Sequence, residues 1–486
     1  MEKGPLKRPA PMTKILLINP PPAITSNSDF RFQNVPLSLV YVGGYARSRG
    51  FEVKILDAYN ELMPAQLVLE RAAAERPAIV GITCDATRFD GIRLLFRHLR
   101  DLLPDALLVA GGSFPSFRQA DLLPWVDAVV KGEGEASFAE LAENFRDGKP
   151  LSGVKGVYVK SGGGYAFTGE REPILAMDDY FKPAWDLVDL RHNFFFWGRR
   201  APVATLITSR GCPEDCSYCC LPPLWGHRHR QVSAARTLEE VALLYRDYGV
   251  REIYFKDNLF TCNKAWVTEF CEGLLARGLK ISWSCGTGVK YVSPELLALM
   301  KKAGCHTINY GFESGNRRIL QSVNKTITPE QSLRAAEMTR AAGIHIFGFF
   351  MIGFPGETLA EIEDTIELAR RISPDIMMCA FVTPFPGTKL WYSLGLDKAN
   401  GDEWAWRDFN WYRRGRSLSE VAPRDLMLLR RRAMRTVRTW RYWVRYVLSV
   451  NPAMLARQLL RVVWSLRTQW SSSYKGIRND ISKGIF

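Results

Sequence analysis

Val203-Ala-Thr-Leu-Ile-Thr-Ser-Arg-Gly-Cys212-Pro-Glu-Asp-Cys216-Ser-Tyr-Cys219 is the stretch from which the rest of the chain can be read. Val203 to Thr208 is apolar and β-prone enough for a buried strand. Three cysteines follow it in C-x3-C-x2-C spacing, on a loop. Thiolates so spaced converge on one face of an iron–sulfur cluster, for which thiolate is the usual protein ligand. A four-iron cluster held by three of them keeps one iron open. Zinc would need a fourth Cys or His at knuckle spacing, and none is present; His227 and His229 read as solvent-facing or substrate-side residues. Cys220 falls outside the spacing and reads as a small buried residue.

Downstream, the same kind of strand recurs. Glu252 to Lys256, Ile281 to Cys285, Thr307 to Tyr310, Ile344 to Phe350 and Ile376 to Val382 are separated by amphipathic helical patterns at Thr237 to Tyr248, Ala265 to Arg277, Pro329 to Ala342 and Leu359 to Ile372. Six strands with helices outside predict an open (β/α)6 partial TIM barrel, residues 201–395, whose active site lies at the carboxyl ends of its strands.

Upstream, a second α/β unit is expected over residues 14–146. Lys14 to Asn19, Val53 to Asp57, Ala78 to Thr83, Ala106 to Gly112 and Ala128 to Gly132 read as strands, with helices at Val40 to Arg49, Gly91 to Leu103 and Ala136 to Phe145. Strands alternating with helices make a doubly wound parallel sheet of the Rossmann or flavodoxin kind, which binds ligands at its carboxyl rim. On that rim lie Asn19-Pro20-Pro21-Pro22, Asp57, Thr83-Cys84-Asp85, Gly111-Gly112-Ser113 and Gly132-Glu133-Gly134-Glu135. Four glycines in two of the five turns favour a flat, bulky ligand close to the backbone. Residues 1–13 are polar and Pro-rich and read as a flexible terminus; 147–200 read as a connector with a hairpin around Val157 to Phe167 and an aromatic run ending at Trp197.

The 486 residues suit two to four domains, and 47% hydrophobic with 24% charged is ordinary globular usage. No apolar run is long enough for a membrane span or a signal-peptide core, so export is not expected. Ten cysteines in a chain this long, four of them between Cys212 and Cys220, fit a reducing cytoplasm and a metal site better than a disulfide framework. The net charge of +15 is uneven: from Arg424 onward fourteen Lys and Arg stand against two acids, a net +12, which leaves +3 for the first 423 residues. Nucleic acid is disfavoured as a partner, since the body carries neither the charge nor a known RNA module.

Further stretches fall at barrel strand ends: Lys256-Asp257-Asn258, Gly311-Phe312-Glu313-Ser314, Gly353-Phe354-Pro355-Gly356-Glu357-Thr358 and Thr383-Pro384-Phe385-Pro386-Gly387-Thr388. With the cysteine triad and the glycine rim they make residues 14 to 395 resemble the radical S-adenosylmethionine enzymes that carry an N-terminal cobalamin-binding domain. The resemblance implies a four-iron four-sulfur cluster on Cys212, Cys216 and Cys219, whose open iron takes the amino and carboxylate groups of S-adenosylmethionine. It also implies that Tyr218 packs near the adenine, that Asp257, Glu313, Ser314 and Gly353 contact the same cofactor, and that Thr83, Gly111, Gly112, Ser113, Glu133 and Gly134 contact cobalamin. No D-x-H-x-x-G loop is present to supply a cobalt-ligating histidine, and the only histidine of the first unit is His98.

The reaction so implied is methylation of an unactivated carbon in a small-molecule or lipid-like substrate. One S-adenosylmethionine methylates cobalamin; a second, reduced through a low-potential flavodoxin- or ferredoxin-type donor, yields the 5′-deoxyadenosyl radical that abstracts hydrogen. The runner-up is radical cyclisation or rearrangement of a tetrapyrrole or polycyclic substrate; a non-catalytic cobalamin-binding accessory protein is a third, weaker reading. A methylthiotransferase is disfavoured, because only Cys84 precedes Cys212 and a second cluster would need three cysteines there. Substrate selection is expected from Leu221 to Arg230, from the connector near Trp197 and from Trp391 to Trp411.

The tail, 396–486, reads as basic and helical. Leu426, Leu429, Ala433, Val437, Trp440, Val444 and Val447 recur at helical spacing among arginines, and a second helix is expected from Ala453 to Trp470. Such helices either cap the barrel or lie on an anionic membrane surface through 424–470, which would make the protein peripheral.

Overall fold

The computed structural model describes residues 12–21, 32–33, 35–161, 164–195, 198–398 and 417–437. The expectations for the N-terminal residues, for Trp197, for the stretch up to Trp411 and for the tail beyond Val437 lie outside them.

Both expected sheets are present. In the first, Lys14–Asn19 lies between Glu52–Asp57 and Ile79–Thr83, followed by Leu107–Gly111 and Ala128–Val130, all parallel. Ile15 to Ile18 are buried because helices cover both faces, which explains their uninterrupted hydrophobicity. The strand order reverses between Lys14–Asn19 and Ile79–Thr83, and a doubly wound sheet opens its ligand crevice at such a switch point. The hairpin read in the connector, Val157–Ser161 with Gly164–Phe167, pairs antiparallel with Ala128–Val130 and forms the edge of this same sheet.

The second sheet has six parallel strands in chain order: Val203–Leu206, Glu252–Phe255, Ser282–Thr287, Cys305–Glu313, His345–Ile352 and Ile376–Phe381. Its two end strands are not paired, so the barrel is open. Alternation divides each strand. Ile253 and Phe255 face outward to the helices, Phe255 meeting Phe260, Phe270 and Trp283, whereas Tyr254 faces the lumen with Val203, Phe347 and Ile376. Helix starts carry their own signals: Ser233, Asn263 and Ser293 accept from backbone N–H groups, and Thr328 and Thr358 close capping boxes with Gln331 and Glu361. Ala65–Glu75 and Pro294–Lys302 are the longest of the helices that the sequence did not announce.

The two units share side chains. The Tyr41 hydroxyl bonds the backbone of Ile207 at 3.3 Å, and Trp391, after the sixth barrel strand, is buried in the core of the first unit. Trp391 is therefore a joint, not the substrate-selecting residue expected from its neighbourhood. The described part of the tail, Pro423–Val437, buries Leu426, Leu429, Ala433 and Val437 against Leu359–Ile372 and Ile376–Phe381, and Arg430 donates to the Cys379 carbonyl at 2.7 Å. Here the apolar stripe caps the barrel and is not available to a membrane. Among the described residues no helix is long and apolar enough to cross one.

Candidate functional site

The cysteine loop is built as a closed collar. Ser209–Arg210 pairs antiparallel with Arg230–Gln231, so residues 211 to 229 leave and return at one point. Gly211 sits at φ 84°, where a Cβ would lie 2.0 Å from the Arg228 carbonyl oxygen, and only glycine turns the chain there. The acids between the first two cysteines are clamps. Glu214 accepts from Tyr291 and Thr326, each at 2.6 Å, and pairs with Lys290 at 2.8 Å. Burial would raise its pKa, but these partners overcome burial and bring it to about 2. Asp215 pairs with Lys389 and accepts from Asn324.

Held this way, Cys212 and Cys216 are buried and Cys219 half-buried. Burial pushes all three thiols up, Cys219 to about 12; Cys216 adds to the shift at Cys212, and both add to the shift at Cys219. Three thiols this close ionise together only beside a cation. Among the described residues no three His, Cys, Asp or Glu side chains close on one point, as a single metal ion would require. A four-iron cluster spreads its thiolates over separate irons.

The fourth barrel strand reaches this loop. Its last residue, Glu313, is buried, stands at φ 62° and pairs with Lys325 at 3.4 Å. Burial lowers the Lys325 pKa, but Glu313, Cys216 and Cys219 together carry it above the usual lysine value. Burial pushes the Tyr218 hydroxyl up, with Glu313 and Cys216 adding to the shift, and its ring packs edge-on to Phe354, with Val382 and Leu390 around it.

Three other residues expected at the cofactor are engaged elsewhere. Asp257 accepts from Thr208 N at 3.0 Å, Thr208 Oγ1 at 3.0 Å and Ser209 Oγ, tying the second strand end to the root of the cysteine loop. Burial lifts its pKa to about 6 despite those bonds. Ser314 is fully buried against Thr365 at 3.0 Å. The Gly353 amide donates to Glu357 at 2.6 Å, and Leu426 of the tail helix lies 3.4 Å from where its Cβ would stand.

On the rim of the first unit, Thr83 and Gly111 are paired strand ends, and Ser113 is exposed. Gly112, at φ 112°, would put a Cβ 2.7 Å from the Cys84 carbonyl oxygen. Gly111 and Gly132 are the cradle: a Cβ on either would meet nothing closer than 3.9 Å, so their backbone lies open to a flat ligand. Ser116, unremarked in the sequence, joins the two turns by donating to Gly112 O at 2.8 Å and accepting from Gly132 N at 3.0 Å. Glu133 departs from expectation. Its carboxylate pairs with Arg230 and accepts from Ile174 N at 3.0 Å, while Glu135 pairs with Arg210. Both glutamates join the units, and Gly134 opens the helix Gly134–Arg146 against Val42.

A radical SAM superfamily model matches residues 206–369, and a B12-binding domain model matches residues 27–142. An uncharacterised methyltransferase of Pyrococcus horikoshii is 33% identical over 381 residues, 78% of this chain and 82% of that one. The chain belongs to the cobalamin-dependent radical SAM enzymes. Relatives also include an anaerobic magnesium-protoporphyrin IX monomethyl ester cyclase of Synechocystis, 27% identical over 462 residues, 88% of this chain and 90% of that one. The fold is that of the radical S-adenosylmethionine methyltransferase TsrM from Kitasatospora setae, with TM-score 0.67, 20% identity, and 78% and 74% of the two chains covered.

For this radical SAM enzyme the donor sets fit the groups the family uses. The collar offers three thiols and no competing acid, since Glu214 and Asp215 are engaged. The side-by-side carboxylate and ammonium of Glu313 and Lys325 complement the amino and carboxylate groups of an amino acid. The bare backbone at Gly111 and Gly132 suits a corrin face. Lys325 carried no sequence signal, because it joins the site only through the fold.

Proposed function

We propose that the enzyme transfers a methyl group to an unactivated carbon of a small-molecule or lipid-like substrate, with electrons from a low-potential flavodoxin- or ferredoxin-type donor. The observation that carries this reading is the facing of two sites: the cysteine collar is rooted by Arg210 and Arg230 on Glu135 and Glu133, the residues that follow the open Gly132 turn. When bound, the cluster with S-adenosylmethionine supplies a carbon-centred oxidant and cobalamin supplies a transferable methyl group.

The chain's own residues orient and enclose. Cys212, Cys216 and Cys219 hold the cluster; Glu214 and Asp215 keep the collar rigid; Glu313 and Lys325 grip the methionine end of the nucleoside. Thr83, Gly111, Gly112 and Ser113 form the bed for cobalamin, and Ser116 sets its shape. Phe117 against Gly387, with Trp391 beneath, keeps the two beds at fixed separation and excludes water. The name of the Pyrococcus relative supports methyl transfer, and that of the Synechocystis relative is the reason to test cyclisation.

The test is product analysis on anaerobically reconstituted protein. S-adenosylhomocysteine together with 5′-deoxyadenosine supports methyl transfer; 5′-deoxyadenosine alone would sink it.

A further inference from the structure

Lys256 directly follows the second barrel strand and falls on the lumen side by alternation with Tyr254 and Glu252. Its N–H continues the ladder to Leu206 O at 2.7 Å, so the strand is still regular there. The side chain is exposed, whereas Phe255 and Asp257 on either side of it are buried. An exposed side chain on the lumen side of a strand faces the open interior of the barrel. No carboxylate or other acceptor among the described residues pairs with it, although the ammonium at Lys325 has Glu313 and that at Lys290 has Glu214.

The lumen beside it carries more unmet polarity. Ser284 on the third strand and Asn309 on the fourth point inward, because Trp283, Cys285, Ile308 and Tyr310 point outward. Ser284 Oγ and Asn309 Oδ1 are buried without a hydrogen-bond partner, while Asn309 Nδ2 donates to the Tyr254 hydroxyl at 3.2 Å. Buried polar atoms without a partner are uncommon, so these two, in the lumen that Lys256 faces, are free to take hydrogen bonds from a ligand. Across the lumen, the fifth and sixth strands contribute Phe347, Phe349 and Met378. One wall is cationic and polar; the other is aromatic and apolar.

We propose that Lys256 anchors an anionic group of the substrate, a carboxylate or a phosphoryl group, whose apolar remainder lies on the Phe347 and Phe349 wall. The proposal rests on the reading of the chain as a methyltransferase and deepens it by naming the substrate class. Ser284 and Asn309 complete the polar wall as hydrogen-bonding groups.

The test uses the full reconstituted chain and two probes of one shape, 4-phenylbutyrate and its neutral amide, with affinities measured by calorimetry. A charge-assisted contact predicts that the carboxylate binds about tenfold tighter than the amide, and that the preference falls to about twofold or less in Lys256→Met but survives in Lys256→Arg. S-adenosylmethionine affinity, measured by equilibrium dialysis on the same samples, stays within about twofold of wild type. The Lys256→Met protein melts no lower than wild type, since it loses no partner.

Failure of the wild-type chain to prefer the carboxylate overturns the proposal, as does a preference that persists in Lys256→Met. A roughly tenfold loss of S-adenosylmethionine affinity in that variant also overturns it, because the lysine would then serve the cofactor's own carboxylate. Formation of 5′-deoxyadenosine under reductant is a separate readout. Its absence removes the methyltransferase reading while the Lys256-dependent preference stands or falls on its own.

Discussion

Glu313 and Lys325 form an ion pair at 3.4 Å inside the barrel wall, and both charges act on the Cys216 thiol. Glu313 stands at φ 62°, in the left-handed region, and Gly311 two residues earlier leaves room for its carboxylate: a Cβ there would lie 2.3 Å from Glu313 Oε1. A backbone strained in this way persists where the surroundings over-determine it, as they do at functional sites. Removing one partner of an enclosed pair strands the other charge, so Lys325→Met is expected to lower stability by about 3 kcal/mol. The double variant Lys325→Met/Glu313→Gln regains most of that in thermal melts, yet neither protein cleaves S-adenosylmethionine.

The collar makes unequal demands on its cysteines. Alanine at Cys212, Cys216 or Cys219 is expected to abolish iron and sulfide retention after reconstitution, together with formation of 5′-deoxyadenosine. Alanine at Cys220 leaves the iron content at the wild-type level. Metal quantification on the four variants decides the matter.

The rim separates two kinds of residue. Gly112→Val would drive a side chain into the Cys84 carbonyl, so cobalamin retention should be lost. Glu133→Gln weakens the junction with Arg230 instead. It is expected to speed limited proteolysis of the connector while the protein still retains cobalamin, read from its visible spectrum.

Glu357 predicts a pH dependence. Burial pushes its carboxyl from 4.5 up to about 7, against the hydrogen bonds from the Phe354 and Gly353 amides. Below pH 4.5 the group is protonated in both folded and unfolded chains. As pH rises from there through 7, the unfolded chain releases the proton first, so stability falls across that window. Denaturation midpoints of Glu357→Gln, compared with wild type from pH 5 to 8, should show a flatter decline; Asp257, raised to about 6 from 3.8, adds a slope of the same sign at lower pH in both proteins.

The sequence by itself determined what local pattern encodes. Alternating strands and helices specified two parallel sheets, because hydrophobic periodicity is a property of consecutive residues. The spacing from Cys212 to Cys219 specified the collar, because three donors on one short loop cannot be far apart. Even the tail's helical stripe was legible from Leu426 to Val437, though not which surface would cover it.

Only the tertiary structure decided which rim residues are free. Asp257, Ser314 and Glu133 carry the right chemistry at the right strand ends. Each is taken up by a partner far along the chain, Glu133 by Arg230 97 residues away. Conversely, Lys325 stood among sixty-five Lys and Arg residues without distinction, and Lys256 was marked only by its place in a strand-end stretch. The fold gave Lys325 an acid partner and, among the described residues, gave Lys256 none. Pairing and enclosure arise from contacts between distant segments, and they decide whether a charge stabilises the scaffold or waits for a ligand.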